Sequence, residues 1–382
     1  MSPSPFALFR DDLAGSDLLF AEPETIIVAD DPQSFDAALL AMEEARAGGQ
    51  WLAGYFSYEA GYLLEPKLRP LLPKNRRTPL ACFGVFDRPQ AAGSIARLHQ
   101  PTNGPIFDAR ATWSFEDYAP RFQRVHRHLR EGDCYQVNLT FPVEAQWTGT
   151  PLAAFTALTD RQPVKYGALV SLGEPVVLSR SPELFFEVGA EGWITTRPMK
   201  GTAPRGASAK EDERQKAFLA ADPKNQAENR MIVDLLRNDV SRISEVGTLD
   251  VPELFEIETY PTLHQMVSTV TAKLLPRLSI ADIFAALFPC GSITGAPKIR
   301  AMEVIRSLET RARGAYCGAI GWIDPAGPMR FNVGIRTITL FADGQAVYNV
   351  GGGVVFDSEG EAEYRECLLK ARFATGLEPT SS

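Results

Sequence analysis

The order of strand-like and helix-like segments in the second half of the chain constrains its fold most. The segments AYCGAIGWI, MRFNVGIRTITLF and QAVYNVGGGVV have strand composition, and the turns DPAGP and ADG separate them, which predicts an antiparallel meander. Helical patterns form separate runs, at about 208–220, 223–239, 278–288, 296–312 and 358–375. Because strands and helices group rather than alternate, the sequence predicts an α+β fold with large antiparallel sheets, not a repeating βαβ fold.

The first part of the chain is less regular. FDAALLAMEEARAGG predicts a helix that ends at two glycines, and WLAGYFSYEAGY predicts a buried strand and a turn. The Pro- and Gly-containing stretch HQPTNGPIFDARATWS indicates a boundary, and an amphipathic helix capped by Ser114 follows it. We therefore expect an N-terminal region over 1–110, a catalytic core over 111–376 and a tail over 377–382.

Composition excludes several classes of protein. A net charge of −8 disfavours nucleic acid or an anionic membrane as a partner. The longest apolar stretch, IADIFAALFPC, is too short to span a bilayer, and the first residues lack the pattern of a signal peptide. Five scattered cysteines without a CxxC pair suit reduced thiols, and four histidines without ligand spacing argue against zinc. These features predict a soluble cytoplasmic protein.

Two predicted helices carry carboxylates that can bind a metal. Glu228 lies on the core-facing side of the helix around 223–239, where a carboxylate needs a partner or a cation. Glu363 and Glu366 share one face of the last helix with Lys370, directly after the segment VGGGVV. Such pairs are also common on solvated helices and in plain salt bridges. Carboxylates without histidine or cysteine are ligands suited to Mg²⁺.

Three further side chains are candidates for catalysis. Lys200 lies at the apolar end of a strand, where a lysine in a partly dry pocket can act as a nucleophile. Glu183 follows a proline and precedes a buried strand, which suits a general acid with a raised pKa. Both residues can equally face solvent. His264 has the pattern of a core histidine more than of a catalytic one.

The segment CGSITGAPKIRAMEVI contains a candidate anion site. Thr294, Gly295, Ala296 and Pro297 predict the start of a helix, with the proline in its first turn. Free amide groups at such a terminus attract anions, although an ordinary helix cap has the same sequence. The spacing of a P-loop is absent, so nucleotide binding is not supported.

Ten short segments, in this order, carry a resemblance to a known family: GDCYQVNLT, SRSPELFF, RPMKGTAPRG, AENRMIVDLLRND, LHQMVSTV, GSITGAPK, RGAYCGAIG, NVGIRT, GGGVV and EAEYRE. They resemble the chorismate-utilising enzymes, a family that includes anthranilate, isochorismate and salicylate synthases. The resemblance covers about 133–370 and implies the fold of anthranilate synthase component I, a sandwich of large antiparallel sheets with helices packed outside.

The resemblance also implies roles for individual residues. It makes Glu228, Glu366 and, through water, Glu363 ligands of Mg²⁺. It makes Glu183 the general acid for the departing C4 hydroxyl, and it places His264 near the ring hydroxyl of chorismate. The residues that it implies for substrate binding are Gln136, Thr294, Gly295, Tyr316, Arg336, Gly351, Gly352, Gly353 and Lys370.

One position indicates the branch of the family. The branch that aminates C4 resembles PIKGT where this chain has PMKGT, whereas anthranilate synthases usually carry alanine in place of Lys200. Isochorismate and salicylate synthases need a lysine where this chain has Gln136. The resemblance therefore implies conversion of chorismate and ammonia to 4-amino-4-deoxychorismate, for para-aminobenzoate and folate synthesis.

The same reading implies partners and leaves two alternatives. No glutaminase signature surrounds any of the five cysteines, so a separate glutaminase subunit would supply ammonia, and a separate lyase would release pyruvate. Within the family the alternative is anthranilate synthase component I, in which Lys200 would be a bystander. Outside enzymes, the alternative is a chorismate-binding regulatory protein, which would need no general acid at Glu183.

Overall fold

The computed structural model describes residues 4–90, 105–260 and 263–381. Its strands are β1 (Phe6–Asp11), β2 (Ser16–Ala21), β3 (Thr25–Ala29), β4 (Trp51–Phe56), β5 (Ala81–Phe86), β6 (Ile106–Ala111), β7 (Gln136–Trp147), β8 (Tyr166–Ser171), β9 (Val176–Ser181), β10 (Leu184–Val188), β11 (Trp193–Arg197), β12 (Met199–Pro204), β13 (Asp250–Thr259), β14 (Leu263–Lys273), β15 (Gly295–Ala296), β16 (Ala319–Ile323), β17 (Met329–Val333), β18 (Thr337–Leu340), β19 (Gln345–Val354) and β20 (Thr380–Ser381). Its helices are α1 (Pro32–Ala47), α2 (Gly61–Leu64), α3 (Phe115–Arg130), α4 (Pro151–Arg161), α5 (Ala209–Ala221), α6 (Pro223–Ser241), α7 (Ile280–Leu287), α8 (Lys298–Leu308) and α9 (Gly360–Thr375).

The described strands form two large sheets. In sheet 1 the order is β2-β1-β8-β9-β18-β19-β7-β6-β20, with β15 paired to β7. In sheet 2 the order is β12-β14-β11-β10-β17-β16-β4-β5-β3, with β13 paired to β14. Neighbouring strands are antiparallel, except that β20 pairs parallel to β6. The predicted α+β class with large antiparallel sheets is confirmed.

The sheets pack as a sandwich, with helices on both outer faces. Between the sheets, Phe20 of β2 and Val177 of β9 share a buried cluster with Tyr55 of β4. Helices α3, α4, α8 and α9 bury their apolar faces against sheet 1, and α1, α6 and α7 bury theirs against sheet 2. Each helix covers apolar surface that a single sheet would leave in water. Burial of this apolar surface is the main contribution that favours folding in such a layered structure.

The predicted meander near the C-terminus is wrong in one respect. The segment MRFNVGIRTITLF is not one strand, because β17 lies in sheet 2 whereas β18 lies in sheet 1. The chain crosses between the sheets around Arg336, whose φ is 49°. Phe331 and Ile338 are both apolar and fully buried, but they belong to different core clusters. Because β17 and β18 have the same pattern of buried apolar residues, the sequence does not show where the chain changes sheets. Long-range packing determines that position.

The predicted helices agree with the observed ones within about two residues, apart from α8, which starts at Lys298 and ends at Leu308 instead of at about 312. Ser114 caps α3 as expected, with its hydroxyl accepting from the amide of Asp117. The helix predicted from residue 296 instead begins at Lys298, with Pro297 at the N-cap. Gly295 pairs with Val137 of β7, so pairing with the sheet replaces the first helical turn.

The N-terminal segment contributes to both sheets, since β1 and β2 lie in sheet 1 and β3, β4 and β5 lie in sheet 2. All five cysteines are buried and free. Within the described part of the chain, no helix combines the length and apolarity that crossing a membrane requires.

Candidate active site

Lys200 is the centre of a cluster of acidic side chains. Its Nζ lies 3.9 Å from Oε2 of Glu228 on α6. The register between β12 and β14 shifts between Met199 and Thr202, and Gly201 has a φ of +92°. This bulge, which needs the conformational freedom of Gly201, turns the Lys200 side chain towards α6. The lysine and glutamate that the sequence singled out separately therefore meet.

Glu183 lies buried at the start of β10. Its Oε1 accepts a hydrogen bond from the Ser292 hydroxyl at 2.7 Å. Burial raises the pKa of Glu183 to about 7, although the Ser292 hydroxyl, the charge of Lys200 and the Met199 amide oppose the rise. A carboxyl group with this pKa exchanges a proton near neutral pH, which is what general acid catalysis requires.

The glycines of β19 let side chains approach the backbone closely. A Cβ atom on Gly353 would lie 2.9 Å from Cδ of Gln136 and 3.1 Å from Nζ of Lys200. A Cβ on Gly352 would lie 2.9 Å from Oε2 of Glu363. Gly351 belongs to the same stretch, and its carbonyl accepts from Lys370 Nζ at 3.2 Å. The glycines thus bring the cluster and the end of α9 against one strand.

Gln136 is fully buried, and neither its Oε1 nor its Nε2 has a hydrogen-bond partner. Leaving both atoms of a buried amide unpaired is costly. Because Gln136 lies next to Gly353 and Lys200, its amide is free to bind a ligand at this point.

The acidic residues of α9 respond to the same lysines. Burial raises the pKa of Glu363, the charge of Glu366 adds to the rise, and the Ser358 hydroxyl donates to its Oε1 at 2.7 Å. The Glu366 side chain is largely exposed, and its ion pair with Lys370 at 2.7 Å keeps its pKa below the usual value. The positive charge of Lys200 acts on both glutamates in the direction that lowers their pKa, although the net shift of Glu363 is upward. Lys200, Glu363 and Glu366 therefore belong to one electrostatic cluster.

The three predicted metal ligands do not converge on one position that a metal ion could occupy. Instead, Glu228 lies beside Lys200, and Glu366 pairs with Lys370. Among the described residues, the one group of three possible ligand atoms lying within 4.8 Å of one another is His128, Glu131 and Asp133. That group is on the surface, and Arg300 already binds Asp133 at 2.8 Å. The positive charge of Arg300 competes with a bound cation, so we assign no metal to His128, Glu131 and Asp133.

Arg336 is partly buried and Tyr316 is buried, and both lie near the crossover between the sheets. Burial lowers the pKa of Arg336 to about 10. Within the described residues the Arg336 guanidinium has no side-chain hydrogen bond or ion pair, so it can receive a carboxylate. Tyr316 lines a cavity of about 530 Å³ together with Arg313 and Asn349, and the other residues predicted for the site do not line it. Asn349 and Gly351 lie on the same face of β19, because side chains alternate along a strand. The cavity therefore adjoins the glycine stretch.

The turn before α8 is fastened to β7 beside Gln136. The Thr294 hydroxyl donates to the carbonyl of Cys290 at 3.1 Å, and the Thr294 backbone carbonyl accepts from the backbone amide of Asn138 at 2.9 Å. Gly295 has a φ of +141°, and a Cβ there would clash with the carbonyl of Gln136. Only glycine allows this approach.

His264 forms none of the hydrogen bonds described above. Its Nε2 bonds to Asp212 at 2.9 Å, and its Nδ1 bonds to Thr259 at 3.0 Å. Because protein groups already engage both ring nitrogens, the geometry is that of a satisfied core histidine. A role near the substrate hydroxyl stays a prediction.

Sequence reasoning missed two residues that organise the site. Ser292 contacts the predicted acid directly, and Arg313 joins the elements around it. Both lie inside segments already noted, GSITGAPK and RGAYCGAIG, so the signal was present. It went unused because neither residue type suggests chemistry by itself.

Comparisons with known proteins show which family the chain resembles. The chorismate binding enzyme family matches residues 4–376. Aminodeoxychorismate synthase component 1 of Klebsiella aerogenes is 43% identical over 304 residues, 78% of this chain and 67% of that protein. The protein of the same name from Escherichia coli strain K12 is 44% identical over 263 residues, 69% of this chain and 58% of that protein. The matched region thus spans about two thirds or less of these relatives.

A solved structure extends the likeness to the whole fold. Anthranilate synthase component I from Streptococcus pneumoniae superimposes with a TM-score of 0.79 and 25% sequence identity, covering 98% of this chain and 93% of that one. This confirms the predicted fold. The match over residues 4–376 is decisive: the chain belongs to the family of chorismate binding enzymes.

Proposed function

We propose that this chain aminates chorismate at C4 with ammonia to form 4-amino-4-deoxychorismate, the precursor of para-aminobenzoate and folate. The observation that carries the proposal is the position of Lys200, next to Glu228 and to the unpaired amide of Gln136. The names of the two bacterial relatives support it. A regulatory protein that only binds chorismate would need neither this lysine nor a buried acid beside it.

In the proposed mechanism Lys200 is the nucleophile. The unprotonated amine of Lys200 attacks C2 of chorismate, the two ring double bonds shift, and the bond between C4 and its hydroxyl breaks, so the hydroxyl leaves as water with a proton from Glu183. Ammonia then adds at C4 and gives one proton back to the Glu183 carboxylate, while the two double bonds shift back and the bond between C2 and Lys200 breaks, which releases the lysine amine. The raised pKa of Glu183 suits this donor, since the group holds its proton near neutral pH.

The substrate carboxylates need positive partners inside an acidic chain. We assign the enolpyruvyl carboxylate to Arg336, with Tyr316 beside it and the amides of Gly351, Gly352 and Gly353 nearby. The support is the unpaired, partly buried guanidinium of Arg336. Lys370, which bonds to the carbonyl of Gly351, adds a second positive charge at that strand. We assign Thr294 and Gly295 to the turn that contacts the substrate.

The donor chemistry of the three predicted ligands, and not their spacing in this structure, fits Mg²⁺. Glu228 on α6 and Glu363 and Glu366 on α9 offer carboxylate oxygens without any nitrogen or sulfur donor, and glycine leaves room beside Glu363. These three residues would hold the ion, which supplies a positive charge for the ring carboxylate of chorismate.

We further propose a core over residues 111–376, since every residue given a role above lies within it, with 1–110 as the N-terminal region and 377–382 as a tail. A glutaminase subunit would supply ammonia, as the words "component 1" in the relatives' names suggest. A separate lyase would act on the product, and we place the reaction in the cytoplasm.

Product analysis tests the proposal. The protein is incubated with chorismate, Mg²⁺ and an ammonium salt, and products are identified by chromatography and mass spectrometry. We expect 4-amino-4-deoxychorismate, which added lyase converts to para-aminobenzoate. Lys200→Ala should abolish it, while Lys216→Ala, which removes a lysine paired with Glu213 on α5, should not. Omitting ammonia should trap a chorismate adduct on Lys200, and an adduct on another residue would refute the nucleophile.

The second candidate is anthranilate synthase component I, favoured by the likeness to the S. pneumoniae structure. Formation of anthranilate, with amination at C2, would support it and leave Lys200 without a covalent role. No product with either ammonia or a glutaminase subunit present would overturn both enzyme readings.

A further inference from the structure

Ser292 links Glu183 to a turn that other interactions hold rigidly. It lies in the single turn Gly291–Ile293, which follows α7. Its hydroxyl donates to Oε1 of Glu183 at 2.7 Å, and it lies 3.3 Å from Sγ of Cys290. The carbonyl of Ile293 accepts from Arg313 Nη1 at 3.0 Å and from Asn138 Nδ2 at 2.9 Å. The hydroxyl is therefore held at a defined point beside the carboxyl group.

A hydroxyl suits a carboxyl group that changes its protonation state. It donates to a carboxylate, and after rotation it accepts from the protonated acid. Burial raises the pKa of the Cys290 thiol to about 12, so the sulfur keeps its proton and can donate to Ser292 in turn. Both Ser292 and Glu183 are buried, so water does not readily replace either partner.

We propose that Ser292 is a positioning residue for Glu183, whose hydroxyl holds the carboxyl group in the orientation from which it protonates the departing hydroxyl of the substrate. The inference rests on the proposed function in giving Glu183 that role. Nothing in the family match assigns a role to Ser292, and its contact joins residues far apart in the chain.

The groups that face Glu183 determine how its titration responds. Burial is the largest influence and raises its pKa, while Ser292, the ammonium of Lys200 and the amide of Met199 lower it. Cys290 faces Ser292 from the other side, and its thiol is neutral. Removing the Ser292 hydroxyl takes away one interaction that favours the charged carboxylate. The pKa of Glu183 should then rise further.

The test is the pH dependence of kcat and KM for four proteins: wild type, Ser292→Ala, Ser292→Thr and Cys290→Ala. Ser292→Ala should lower kcat by about 10- to 100-fold with little change in KM, because a misdirected acid loses part of its catalytic effect. The fall in rate at high pH should move to higher pH by about one pH unit, as expected from losing one hydrogen bond to a charged group. Ser292→Thr retains the hydroxyl and should restore both.

Cys290→Ala is the matched control, since it removes the other contact of Ser292 and leaves the bond to Glu183. Its pH profile should follow that of wild type. An unchanged kcat and pH profile in Ser292→Ala would overturn the proposal. So would a threonine variant as impaired as the alanine variant while its melting temperature stays at the wild-type value.

A second measurement separates this inference from the proposed function. Difference infrared spectroscopy follows the carboxyl band during a pH titration, and Glu183→Gln identifies the contribution of Glu183. We expect the band to titrate at higher pH in Ser292→Ala than in wild type. An inactive wild-type enzyme would refute the proposed function. A Glu183 carboxyl band that titrates at the same pH in Ser292→Ala as in wild type would instead refute the proposed role of Ser292.

Discussion

The buried ion pair of Arg313 and Glu309 gives the sharpest test of how the site is held. The Arg313 side chain is 2% exposed and that of Glu309 is 7% exposed. Arg313 donates to both oxygens of Glu309, from Nη2 at 2.7 Å and from Nε at 2.8 Å. It also donates to the carbonyls of Ile293 and Asn138, so one side chain joins the turn before α8, strand β7 and the segment that leads to Tyr316.

Arg313→Met keeps most of the side-chain volume but leaves Glu309 buried without its positively charged partner, with only the amide of Thr140 still bonded to it. Breaking such a pair from one side costs about 3–5 kcal/mol, because an uncompensated charge remains in the interior. Unfolding entropies near 2.1 cal/mol/K per residue over 382 residues convert this to a lower Tm by roughly 4–6 °C. The double variant Arg313→Met/Glu309→Met removes the charge as well, so it should recover at least about 2 kcal/mol.

Differential scanning calorimetry and urea unfolding of wild type, both single variants and the double variant measure this coupling. Arg311→Met is a suitable control, since Arg311 pairs with Glu144 on the exposed surface and should change Tm by no more than about 1 °C. Single and double variants with equal losses would show that the lost packing, and not the stranded charge of Glu309, determines the effect.

Three further predictions concern pH, backbone and metal. Burial raises the pKa of Glu59 to about 7, so the folded chain binds a proton that the unfolded chain releases, and this group makes stability fall as pH rises from about 4.5 to about 7. Glu59→Gln should make urea-derived stability depend less on pH over that window, and an unchanged slope would contradict the assignment. Gly353→Ala should lose activity but keep its fold, because the new methyl group meets the ends of Gln136 and Lys200, whereas Gly351→Ala should lower Tm because its methyl group meets the carbonyl of Leu139 at 2.6 Å. The reverse pattern would remove Gly353 from the site. Glu366→Gln should abolish Mg²⁺-dependent turnover with little change in Tm, while Glu361→Gln, on the exposed surface of α9, should retain it; full activity of Glu366→Gln would exclude Glu366 as a ligand.

Local sequence determined most of the helices. Ser114 could be assigned as the cap of α3 because an N-cap side chain bonds to amides only three residues away. The row Ile232, Leu236 and Val240 on α6 is buried as its spacing predicts, which placed Glu228 near the core. Such features depend on neighbours in the chain, so the sequence alone is sufficient for them.

Residue types and family resemblance determined the list of site candidates. Residue type and resemblance single out Lys200, Glu228, Glu363 and Glu366, and the structure brings them into one electrostatic cluster. The resemblance supplied what chemistry alone left open, since each of these residues is equally common on a solvated surface.

Tertiary structure alone decided how these pieces meet. It split MRFNVGIRTITLF between two sheets at Arg336, turned Gly295 into a partner of β7 and placed the Ser292 hydroxyl on Glu183. Each outcome depends on contacts between residues far apart in the chain, and apolar or hydroxyl side chains have the same local pattern whichever partner they find. Packing of the two sheets selects one partner, because only one arrangement buries both apolar faces and pairs the buried polar groups.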